Sequence, residues 1–200
     1  MRITGVVMIV MVAASLRASV PSAQSRQLTI CMGMTIGNLV IENEARNVAS
    51  DIFAGIGVKI RWRGADRCPS EAISISLSRD TPASVHPGAL AYALPYERTQ
   101  VVALLDRVKH AAPYDSGCLL GYTLAHEVAH IVEGIARHSR SGIMKAQWGT
   151  EDFVAMGQHR LGFAGQDVSL IYQGLDQREL RASAAANEAQ VERLFHQCSL

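Results

Sequence analysis

His126-Glu127-Val128-Ala129-His130 sets two imidazoles four residues apart, with a carboxylate beside the first. On a helix, positions i and i+4 share a face, so both rings can bind one metal ion. The adjacent Glu127 can then hold and deprotonate a water on that metal. A pair of satisfied core histidines is the plainer reading of the two rings. Nothing structural, however, calls for an ionisable Glu between two His on an apolar helix. A catalytic zinc takes three protein ligands and keeps a fourth position open. Three downstream residues compete for the third place. Glu133 is three residues past His130 and still on the helix, so it reaches the metal only with distortion. His138 lies beyond Gly134, where the chain can reverse and bring a side chain back under the metal. Glu151 opens a helix expected from Thr150 to about Arg160. There a cap by Thr150, and the attraction of Glu151 and Asp152 to the positive helix end, account for the sequence without a metal. His138 is the preferred ligand, with Glu151 the alternative.

The element that must position these groups is a helix. Pro113 blocks continuation from upstream, and Asp115 or Ser116 can cap a new start. Leu119, Leu120, Leu124, Val128, Ile131 and Val132 follow at helical spacing, and Gly134 can close the C-terminus. Both His therefore fall in the last two turns of a mostly buried helix. Tyr122, one turn before His126, is read as a core residue, with stabilisation of a developing oxyanion as the sharper alternative.

The stretch from His126 to Met144 resembles the metzincin clan of zinc peptidases, and its matrixin-like members in particular. Those carry H-E-x-x-H-x-x-G-x-x-H, often followed by Ser, and then a tight turn ending in Met. Here the helix motif, Gly134, His138-Ser139 and Ile143-Met144 occur in that order. The spacing is altered: Gly134 comes four residues after His130 instead of three, and His138 eight instead of six. Met144 also follows the third His sooner. The resemblance implies Zn²⁺ held by His126, His130 and His138, with Glu127 as general base. It further implies that Met144 lies beneath the site and that a twisted sheet runs an edge strand along a substrate cleft. The gluzincin clan instead draws a third ligand, a Glu, from a second helix at comparable spacing, which keeps Glu151 open.

The chain begins Met1-Arg2, runs apolar from Ile3 to Leu16, and continues with small and polar residues to Ser25. This order reads as a secretory signal peptide over 1–23, cut somewhere between 18 and 25, since the apolar run is short for a membrane span. One domain, 26–200, is expected to follow. Losing Arg2 and Arg17 with the leader leaves 17 basic residues against 18 acidic ones. That balance argues against a nucleic-acid or membrane-surface partner. Secretion or a periplasmic location is expected, with a monomer as the simplest state. Cys31, Cys68, Cys118 and Cys198 make an even set in an exported chain. The preferred pairing is Cys31–Cys68 and Cys118–Cys198, the second pinning the C-terminal tail to the metal helix.

Elsewhere, strands are expected at 27–32, 58–62, 72–77 and 100–105, and an amphipathic helix at 38–53. The segment Gly88–Leu94, between Pro87 and Pro95, reads as a short edge strand. Helices at about 150–160, 165–173 and 178–197 close the chain. The expected class is α+β and zincin-like: a mixed twisted sheet with an edge strand packed on two long helices, and a small helical C-terminal part. The activity this implies is zinc-dependent hydrolysis of peptide bonds. Exported zinc enzymes acting on non-peptide amides or esters, and non-catalytic zinc proteins, are the rival readings.

Overall fold

A computed structural model describes residues 26–33, 38–94 and 99–198, leaving out the side chains of 195–198. The leader expected at 1–23 lies outside these residues. β1 (Arg26–Met32), α1 (Leu39–Ala54) and β2 (Val58–Arg63) form a parallel crossover unit. A 3₁₀ turn at Ala65–Arg67 leads to β3 (Ile73–Ser78), then β4 (Ala91–Ala93) and β5 (Gln100–Leu104). The sheet order is β2-β1-β3-β5-β4, with β4 alone antiparallel. α2 (Leu105–Ala111), α3 (Ser116–Glu133), α4 (Thr150–Gly157) and α5 (Gly165–Cys198) complete an α+β fold with a mixed five-stranded sheet and five helices.

Alternation decides which face of the sheet is dry. Leu28, Ile30 and Met32 of β1 and Ile73 and Ile75 of β3 are buried, while Ser74 and Ser76 between them face solvent. α1 contributes Ala45, Val48, Ala49 and Phe53 to the same core. α3 packs against α1, α5, β4 and β5. A helix enclosed on so many sides is apolar all round, and its buried residues run from Ser116 almost without a break to Val132. α1 and α3 cross closely at Gly121. A Cβ there would sit 2.5 Å from Val48 Cβ and 2.9 Å from the Ala45 carbonyl. Among the described residues no helix is long and apolar enough to cross a membrane.

Three details differ from the expectations. The strand expected to run through 105 ends at Leu104, and α2 begins there because Leu105 and Val108 bury one helical face. The edge strand shrinks from Gly88–Leu94 to Ala91–Ala93. Arg107 donates to the carbonyls of His86 and Ala89, at 2.7 and 2.8 Å, and holds that part as a turn. The two expected C-terminal helices are one, because Gly174 does not break α5. It lets the helix lie against the Val132 carbonyl, where any Cβ would collide.

Cys31 and Cys68 are joined, with Cα atoms 5.6 Å apart. The link ties β1 to the loop after β2 and contributes about 2–4 kcal/mol. The preferred Cys118–Cys198 pair is not borne out: Cys118 is a free, buried thiol. Its Sγ lies 3.8 Å from the Met156 carbonyl of α4, and burial pushes its pKa up to about 11. The continuous α5 explains this. From Leu175, the last core residue of α5, the backbone continues helically for some 35 Å at 1.5 Å per residue before it reaches position 198.

Candidate metal centre

α3 delivers His126 and His130 on successive turns, both buried. Gly134 ends the helix in the left-handed region at φ 69°, its N–H bonded to the His130 carbonyl at 2.9 Å. The chain reverses there and returns His138. The three rings lie at centroid separations of 4.7, 5.3 and 5.0 Å. One ring nitrogen from each lies within 4.8 Å of the others, so these three imidazoles can hold a metal ion. Among the described residues, His126, His130 and His138 are the only such cluster.

Hydrogen bonds fix which nitrogens are free. His126 Nδ1 lies 2.9 Å from the Ile143 carbonyl, and His130 Nδ1 lies 3.2 Å from the Ile135 carbonyl. A carbonyl only accepts, so both Nδ1 atoms carry protons. Burial lowers both pKa values to about 4, so the rings are neutral near pH 7 and both Nε2 atoms are bare. Those two Nε2 atoms face each other at 3.0 Å. Two unprotonated lone pairs so close repel unless a cation lies between them. Their chemistry and direction therefore fit a metal.

Glu127 is partly buried and borders the same cleft. Burial pushes its pKa up to about 7. The cleft, of about 660 Å³, is bordered on one side by Leu90, Ala91 and Tyr92 and on the other by Gln147, Trp148 and Phe153. Among the described residues β4 pairs only with β5, and Ala91, Tyr92 and Ala93 of β4 line this space.

The loop carrying His138 is anchored by Asp167, in the first turn of α5 and fully buried. Its Oδ1 accepts from Arg137 Nη2 and from Ser139 Oγ, and its Oδ2 accepts the Ala164 N–H at 3.2 Å. Both neighbours of His138 are thus tied to one carboxylate. Beyond it, Ser139 N–H bonds the Met144 carbonyl at 2.7 Å. Gly142 turns at φ 75°, where a Cβ would meet the Gly162 carbonyl at 2.5 Å. Met144 is fully buried in the core.

Of the competing residues, Glu151 lies exposed in the first turn of α4, outside the histidine cluster. Gly149, not Thr150, is the N-cap, and Asp152 performs the capping by accepting the Gly149 N–H at 2.7 Å. Glu133 is outside the cluster too. Both its carboxylate oxygens are buried without a hydrogen-bond partner, and burial pushes its pKa up to about 7 against the pull of Arg137. Tyr122 is buried in the core, where burial pushes its pKa up to about 12. Three supporting residues escaped the sequence reading: Arg137, Trp148 and Asp167. For Asp167 a signal existed, an acidic residue in the first turn of a helix, but its partners lie 28 and 30 positions away.

Asp152 also accepts from Lys145, directly after Met144, so it links that turn to α4. The Lys145 hydrogen bond holds the Asp152 pKa below its ordinary 3.8. Such a group stabilises the fold above 3.8, and the contribution is lost as pH falls through its lower folded value. Asp152→Asn is expected to cost about 1–2 kcal/mol at neutral pH. Thermal melts should show the two proteins converging as the pH is taken down below 3.8.

Comparison with protein-family models and with curated protein sequences finds no match to this chain.

Proposed function

We propose that the protein is an exported zinc-dependent peptidase. The observation that carries this reading is the pair of bare Nε2 atoms facing each other at 3.0 Å, with His138 as the third imidazole beside them. His126, His130 and His138 would hold the metal, and three neutral nitrogens suit Zn²⁺ while leaving a position open. A zinc ion bound there supplies Lewis acidity, acidifying a water and polarising a carbonyl. Glu127, next to His126 and facing the cleft, takes the proton of the attacking water and passes it to the leaving amine. The open edge of β4 offers backbone donors and acceptors to an extended chain, which favours a peptide over a compact amide or ester. The Cys31–Cys68 disulfide supports an oxidising compartment, in keeping with export.

The test is elemental analysis of the purified mature chain beside His138→Ala and Glu151→Ala. One zinc per chain, lost with His138→Ala and kept with Glu151→Ala, is the expected result. Loss with Glu151→Ala alone would reassign the third ligand. A wild-type chain that takes up no metal when zinc is supplied would end the hydrolase reading.

A further inference from the structure

Trp148 follows Met144 by four residues, is partly buried, and borders the cleft. Its indole N–H donates to the Ile143 carbonyl at 2.9 Å. The same oxygen accepts the Nδ1–H of His126, also at 2.9 Å. A carbonyl oxygen has two lone pairs, so these two donors fill both. The indole also meets the His126 ring edge to face, with centroids 5.7 Å apart and planes at 89°. His126 is therefore held twice by one neighbour, through the shared carbonyl and through the ring contact. The other tryptophan, Trp62, is engaged elsewhere, its indole bonded to Ser50 of α1 at 2.9 Å.

We infer that Trp148 is a positioning residue for the metal centre. By occupying one lone pair of the Ile143 carbonyl, it directs the other at His126 Nδ1. That fixes the His126 tautomer and ring plane, and keeps Nε2 aimed at the point where the three imidazoles converge. The carbonyl itself sits in a short turn that the Ser139 N–H also braces, through the Met144 carbonyl at 2.7 Å. Ile143 N–H bonds the Gly162 carbonyl at 3.0 Å, and Lys145 N–H reaches the Gly142 carbonyl at 3.4 Å. The indole adds a side-chain donor on the oxygen itself. This inference rests on the metal-binding reading above. Its rival is that Trp148 serves only as a wall for substrate, since Phe153 stands beside it in the cleft.

Zinc affinity and zinc release to a chelator separate the two roles. The chains compared are the wild type, Trp148→Phe, and a protein carrying β-(3-benzothienyl)alanine at position 148. The last keeps a bicyclic ring of the same shape but has no N–H, so it stands in if Trp148→Phe folds poorly. Both replacements are expected to weaken zinc binding about 10- to 100-fold, the usual effect of losing support behind a ligand. At saturating zinc, KM for a peptide should move little. Unchanged zinc affinity in both, with KM raised, would make Trp148 a substrate wall and overturn the inference while leaving the zinc site standing. Absence of zinc from the wild type would instead bring down the metal reading, and this inference with it.

Discussion

Glu127→Gln should bind zinc as the wild type does and lose about 10⁴-fold in kcat/KM on a peptide substrate, the upper end for removal of a general acid–base group. Gln has the same length and also favours a helix, so α3 and its two histidines stay in place. What disappears is a group able to accept and return a proton. The position suits that task, because burial pushes the Glu127 pKa up to about 7. Paired zinc analysis and peptide hydrolysis check the outcome. Full activity in the zinc-loaded variant would sink the assignment of Glu127 as base, whatever the metal content.

The second large effect is on stability. Asp167→Ala should lower the unfolding free energy by about 3–5 kcal/mol, read from denaturant unfolding. Asp167 is fully buried, and its carboxylate is the partner of Arg137, of Ser139 and of the Ala164 N–H. Deleting it removes, among the described residues, the only carboxylate partner of the half-buried Arg137 guanidinium, whose Nε already lacks a hydrogen-bond partner and which keeps only Ser139 Oγ. The same change frees both neighbours of His138. Zinc affinity should therefore fall in Asp167→Ala even where the protein is still folded. Asp167→Asn, which keeps an acceptor but not the charge, should lie between the two. A loss below about 1 kcal/mol for Asp167→Ala would show that the anchor is dispensable.

Local signals were enough to place the site on its helix. The spacing of Leu119 to Val132 and the stop at Gly134 located α3 within a residue or two, because a long apolar run between a cap and a glycine stop marks a buried helix. The alternation of Ile73-Ser74-Ile75-Ser76 located β3 for the same reason. The gathering of His126, His130 and His138 was legible because one glycine permits the reversal between them. Long-range partners were not legible. Nothing local ties Asp167 to Arg137, or Trp148 to the carbonyl that His126 uses. The gap expected between 173 and 178 is absent because Gly174 packs against Val132, a contact that leaves no local signal. The Cys118–Cys198 expectation failed because parity of cysteines carries no information on where a helix points.

The 34 residues of α5 divide into two parts with unequal fates under thermal fluctuation. Up to Leu175 the helix shares the core, through Ile171, Gly174 and Leu175 itself. From Gln177 to Leu194, apart from the partly covered Arg178, its side chains lie in solvent. A helix without packing holds only its own hydrogen bonds, and most helical stability in proteins comes from packing. Its opening should therefore need far less free energy than global unfolding, and proceed without it. Proteases that cut after basic residues would find Arg181 and Arg193 there, in a region that can unwind while the sheet, α3 and the three histidines remain whole.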